Sequence, residues 1–103
     1  MKRIAFKMFL KPGMEAEYQK RHDEIWPELT ELFRKNGVSD YSIFLDQETN
    51  MLFAVKTNDD RILTDQGSIE IMKKWWAYMA NIMETNPDNS PVLTHLKEVF
   101  YMK

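Results

Sequence analysis

Cysteine is absent from the 103-residue chain, which removes disulfides, thiolate nucleophiles and thiolate metal sites together. That absence suits a reducing cytoplasm, where the protein is expected. Glycine occurs three times, too sparsely to build the Gly-rich turn that cradles a nucleotide phosphate. The two histidines, His22 and His95, are far from any His-x-x-x-His spacing, so no metal site is expected. No Ser-His-Asp context appears either. A dominant charge is missing too: 14 basic and 16 acidic residues are interspersed, for a formal net charge of −2. No basic stripe is long enough to follow a row of phosphates, which excludes nucleic acid as the expected partner.

Long apolar runs are also lacking. None approaches the roughly 20 residues of a membrane-spanning helix. Met1-Lys2-Arg3 followed by Ile4 to Leu10 has the outline of a signal peptide, but Lys7 interrupts it and Pro12-Gly13 ends it without a small-residue cleavage site. A strand accounts for the segment better, and the expectation is a soluble, unprocessed protein with no membrane partner.

What the chain does have is aromatic residues, 13% of the total, within an apolar fraction of 44%. One domain over residues 1–103, with one core, is what this length supports. Aromatic side chains supply much buried area per residue, and they also line ligand pockets. A chain this small often completes its core or its site with a second copy.

The periodicities order the elements. Ile4, Phe6, Met8 and Leu10 alternate as in a strand. After Pro12-Gly13, the spacing of Met14, Tyr18, Ile25, Leu29, Leu32 and Phe33 is helical. Pro27 disfavours a helical Trp26, so the helix kinks or restarts there, and Gly37 stops the second piece. Val38 to Asp46 and Met51 to Thr57 read as strands around a Gln47-Glu48-Thr49-Asn50 turn. Asn58-Asp59-Asp60 breaks the pattern, and Ser68 is placed to cap a helix over Ile69 to Met83. Asn86-Pro87-Asp88-Asn89-Ser90-Pro91 is a loop, and Leu96 to Met102 a closing strand. The order β-α-β-β-α-β predicts a ferredoxin-like α+β fold with a four-stranded antiparallel sheet. Phe and Tyr on both strand faces predict that the helix-free face is covered as well. Two copies packed sheet to sheet would cover it and enclose a cavity suited to a ligand.

The candidate chemistry begins with His22, one helical turn after Tyr18 and on the same face. Spacing alone describes a border tyrosine beside an exposed histidine, with Gln19, Lys20 and Arg21 facing solvent. The helix break five residues on marks the pair as a candidate site. His95 has no partner in sequence and reads as a surface residue. Trp75 and Trp76, in Lys74-Trp75-Trp76-Ala77-Tyr78-Met79, point about 100° apart on a helix and cannot share one face. One ring packs in the core and the other covers a seam, or the rings form a platform for the C–H faces of a sugar; both readings hold if each ring takes one role. Tyr41 alternates with Ile43 and Leu45, either at a core edge or presenting its hydroxyl to a ligand. The eight methionines read as adaptable core filler.

Four motifs resemble one family. Tyr18-Gln19-Lys20-Arg21-His22-Asp23-Glu24-Ile25-Trp26-Pro27-Glu28-Leu29, the Trp75-Trp76 run, the Asn86–Pro91 loop and the ending Glu98-Val99-Phe100-Tyr101 are similar, in order and spacing, to those of the L-rhamnose mutarotases. The likeness extends from about Ala5 to Tyr101, with Thr57 to Ile71 unmatched. It implies a dimeric α/β-barrel of ferredoxin-like subunits, a homodimer acting on L-rhamnose in cytoplasmic sugar breakdown. By that resemblance His22 is the proton donor, and Tyr18, Tyr41, Trp75 and Trp76 bind the sugar. An anomer is exchanged by opening the hemiacetal, turning the aldehyde and closing on its other face. An imidazole with a reference pKa near 6.5 suits that proton transfer, and no cofactor is called for. Cofactor-free or haem-degrading monooxygenases of the same barrel type are the rival enzyme class. A ligand-sensing module is the non-catalytic rival, although 103 residues leave no room for a DNA-binding domain.

Overall fold

The alternation of Ile4, Phe6 and Met8 is realised as strand β1, Lys2–Phe9. The computed structural model describes the backbone of residues 2–58 and 66–103 and the side chains of residues 2–58 and 69–103. Helix α1 follows at Glu15–Asp23, then α2 (Pro27–Lys35), β2 (Val38–Asp46), β3 (Met51–Asn58), α3 (Gln66–Met79) and β4 (Thr94–Leu96). The strands form one antiparallel sheet in the order β2-β3-β1-β4, the ferredoxin-like arrangement that the sequence predicts.

Local chemistry sets the breaks. Trp26 takes extended angles (φ −61°, ψ 130°) and Pro27 opens α2 at its first turn, where a missing N–H costs nothing. Gly37 ends that helix at φ 78° with its N–H on the Arg34 carbonyl at 3.0 Å, a left-handed stop that glycine adopts without strain. The β2–β3 hairpin closes with the Asn50 N–H on the Asp46 carbonyl at 2.8 Å and Asn50 at φ 61°.

Two expected boundaries shift. Helix α3 begins at Gln66, so Ser68 lies within it and does not cap it, and it ends at Met79. The chain from Ile82 instead runs along the end of β1. Lys11 donates to the Ile82 carbonyl and Glu84 to the Phe9 carbonyl, and these backbone bonds take the place of a further helical turn. The closing strand is Thr94–Leu96 and does not reach Met102. Val99, Phe100 and Met102 stay exposed, so no burial holds that segment to the sheet edge. The break expected at Asn58-Asp59-Asp60 and the unmatched Thr57 to Ile71 stretch lie largely outside the described residues.

Register explains the two faces. Phe6 pairs with Ala54, which pairs with Ile43; Met8 pairs with Leu52, which pairs with Leu45. These rows lie beneath the helices and pack with Tyr18, Leu29, Trp75 and Met79 into the core. The alternate row of Lys7, Phe53 and Phe44 faces away from the helices, and Phe44 is 64% exposed there.

Candidate functional site

All five predicted site residues meet on the helix-covered side of the sheet. This corrects the expectation of a cavity on the open sheet face. Tyr41 shares its face with Ile43, and that face carries the helices. Two adjoining cavities lie there, of about 540 Å³ and about 400 Å³. Tyr18, His22, Tyr41 and Trp75 border both. Trp76 borders the smaller one, which residues of the Thr85–Leu93 segment also line. The two tryptophans therefore flank one cavity from directions a helical step apart, Trp75 buried in the core and Trp76 half-buried.

Helix α1 brings His22 over Tyr18, their rings stacked at 4.2 Å between centroids and 27° between planes. Trp75 meets the imidazole edge-on at 5.5 Å. The His22 Nδ1 lies 3.0 Å from the Tyr18 carbonyl oxygen. A carbonyl can only accept, so Nδ1 carries the hydrogen and Nε2 is left for proton exchange. Burial lowers the His22 pKa below its ordinary value, opposed by that carbonyl, so at neutral pH the ring is uncharged. Burial also raises the Tyr18 hydroxyl well above an ordinary phenol and the Tyr41 hydroxyl to about 12. Both remain O–H donors at neutral pH.

A β-bulge positions Tyr41. Between Ser39 and Ser42 strand β2 carries one residue more than β3, and Asp40 takes φ 49°. Asp40 and Tyr41 together oppose Lys56, and such an insertion re-aims a side chain. The Lys56 Nζ then lies 5.8 Å from the Tyr41 ring centroid and 5.7 Å from that of Phe6. Sequence reasoning missed Lys56, although period-two alternation from Ala54 points it inward. It also missed Phe33 and Met72 as lining residues, and Trp26, which stacks on Tyr78 at 5.6 Å and meets Trp75 edge-on at 5.1 Å. His95 is exposed, as expected, with its ring 6.2 Å from Phe6.

Arg21 corrects the reading of α1. Expected in solvent, it is buried to 9% exposure. Its Nη1 donates to the Tyr78 carbonyl at 2.7 Å and to Asn81 Oδ1 at 3.0 Å, and its Nε to Glu17 at 2.7 Å. The guanidinium also sits 4.4 Å over the Tyr78 ring. Arg21 thus ties the helix of Tyr18 and His22 to the end of the helix of Trp75. Arg21→Met keeps the apolar stem but orphans those acceptors, and should cost about 1–3 kcal/mol of stability. Urea unfolding checks this, and a variant as stable as the parent would remove the anchor.

A family model described as L-rhamnose mutarotase matches residues 3–102 of this chain. The chain belongs to the L-rhamnose mutarotase family. It is 65% identical to the L-rhamnose mutarotase of Bacteroides thetaiotaomicron, covering 99% of each chain, and 52% identical to that of Listeria monocytogenes, again over 99% of each. The crystal structure of the Formosa agariphila L-rhamnose mutarotase superposes with a TM-score of 0.90 at 53% identity, covering 100% of both chains. Among the described residues, no group of three His, Asp or Glu side chains could hold a metal, and no helix is long and apolar enough to cross a membrane.

Proposed function

We propose that this chain interconverts the α and β anomers of L-rhamnose, with His22 as the residue that hands the proton to the ring oxygen. The observation that carries the mechanism is the 3.0 Å bond that commits Nδ1 to the Tyr18 carbonyl. With only Nε2 free, one nitrogen serves both oxygens on the anomeric carbon. It accepts the proton of the anomeric hydroxyl, the bond from that carbon to the ring oxygen breaks as the aldehyde forms, and the same proton passes to the ring oxygen. Closure on the opposite aldehyde face reverses these steps. Neutral Tyr18 and Tyr41 hydroxyls orient the sugar as donors, Trp75 and Trp76 pack on its C–H faces, and a tryptophan wall accepts the methyl group. Residues 1–103 act as one domain, without metal or cofactor, in a cytoplasmic homodimer joined through the open sheet face.

Saturation-transfer NMR between the two anomeric protons tests the activity directly: added protein should speed exchange of L-rhamnose, and unchanged exchange would overturn the reading. The pH profile tests the proton route. Since burial lowers the His22 pKa and Nε2 must start unprotonated, kcat/KM should be flat above about pH 6.5 and fall as pH drops through the lowered value. A profile that instead rises toward acid would mean that the proton is donated from a pre-formed imidazolium.

A further inference from the structure

The smaller cavity is lined by two chemically different sets of residues. Phe6, Tyr41, Trp75 and Trp76 supply aromatic lining, while Asn86, Asn89 and Ser90 line it from the loop that follows α3. Aromatic faces hold a sugar ring through its C–H surface and distinguish poorly between arrangements of hydroxyls. That discrimination needs directed donors and acceptors.

Most polar groups of the loop are already engaged with one another. The Asn86 N–H donates to the Ser90 carbonyl at 2.8 Å, and the Asn89 N–H to the Asn86 carbonyl at 2.9 Å. The Asn86 Nδ2 donates to Ser90 Oγ at 3.1 Å, and the Ser90 N–H to Asp88 Oδ1 at 3.0 Å. Ser90 Oγ donates to the same Asp88 oxygen, and these bonds hold the Asp88 carboxyl below its ordinary pKa. The loop is thereby a pre-organised turn. Among the described residues, the Asn89 carboxamide has no hydrogen-bond partner, and Asn89 is an exposed residue that lines the cavity. Asn89 also sits at φ 71°, where glycine is the least strained residue and asparagine the usual substitute that still brings a side chain.

We propose that Asn89 reads the substrate, its carboxamide accepting from one ring hydroxyl and donating to a neighbouring one. A carboxamide offers one acceptor and two donors in a plane, a match for adjacent hydroxyls that imidazole and indole lack. This rests on the rhamnose reading above and adds to it a residue that sets sugar preference. Because Asn89 is an exposed lining residue and His22 carries the proton, its contribution falls on binding and not on the chemical step.

Asn89→Gly is the informative variant, since glycine keeps φ 71° without strain and deletes only the carboxamide. KM for L-rhamnose should rise about tenfold, the worth of a hydrogen bond or two, with kcat within about twofold and the pH profile unchanged. Among monodeoxy analogues of L-rhamnose, the two that lack one or other of a pair of neighbouring hydroxyls should each narrow the difference between parent and variant, closing cycles between Asn89 and those hydroxyls. An unchanged KM, or a loss of kcat together with a lowered Tm, would overturn the proposal, the latter by making Asn89 a scaffold residue. Asn89→Asp, which keeps the acceptor but loses the donors, should fall between parent and Asn89→Gly, and a KM equal to the parent's would also count against it. Parent protein that leaves exchange of L-rhamnose unaccelerated would remove the rhamnose reading itself, an outcome distinct from a parent and variant that are both active and alike.

Discussion

His22→Ala should lower the rate of anomer exchange by roughly 10²–10⁴-fold, the usual contribution of a positioned acid–base group. The fold should survive. His22 lies in the last turn of α1, half-buried, and its side-chain bond goes to the backbone of its own helix. Alanine is a stronger helix former than histidine, which offsets part of the lost packing on Tyr18 and Trp75. The loss therefore belongs to the chemical step: kcat should collapse while L-rhamnose still quenches or shifts the tryptophan fluorescence. Added imidazole should restore part of the rate by entering the space left beside Tyr18. Near-normal exchange in a folded His22→Ala protein would sink the assignment, and Tyr18 would then have to be re-examined as the proton carrier.

How far the sequence foretold this arrangement differs by scale. The elements followed from local chemistry: the alternation of Ile4, Phe6 and Met8, the break at Pro27 and the stop at Gly37 all appear where the residues require them. The Tyr18–His22 stack followed from a four-residue spacing on a helix, and the tryptophan pair from its motif. What spacing does not reveal is which side of a sheet the ligand takes. Aromatic residues occupy both faces, and what puts Tyr41 and the other candidate site residues on the helix-covered one is the pairing of Ile43 with Ala54 and of Ala54 with Phe6, together with the Tyr41–Phe6 ring contact. In sequence Arg21 reads as a solvent-facing cation, because charge usually means exposure. Its burial depends on a carbonyl and an amide 57 and 60 residues away, partners that no local window contains. Lys56 was missed for a similar reason: a bulge involving Asp40 brings Tyr41 opposite it, and nothing in the composition of β2 announces a bulge. Asn89 stood in a recognised loop motif, yet only the hydrogen bonds that occupy Asn86 and Ser90 single it out.

The two tryptophans should separate most clearly by mutation. Trp75 is 8% exposed and touches the rings of His22, Trp26 and Tyr78 at 5.5, 5.1 and 5.8 Å between centroids. Trp75→Ala removes a large core side chain and leaves a void where those rings converge, at a cost of about 3–5 kcal/mol. Against a total of about 5–15 kcal/mol for an ordinary domain, that is enough to unfold a measurable fraction near physiological temperature. Activity should fall with it, because Trp75 meets the His22 ring edge-on and helps hold it in place. Trp76→Ala, half-buried at the wall of the smaller cavity, should cost far less stability and appear mainly as weaker sugar binding. Urea unfolding and exchange kinetics on both variants test this division. Trp75→Phe, which restores an edge-on aromatic contact, should recover part of the stability and rate lost in Trp75→Ala. Equal destabilisation by the two alanine variants would show that the paired indoles act as one packing unit, and the assignment of core support to Trp75 in addition to its sugar contact would fall.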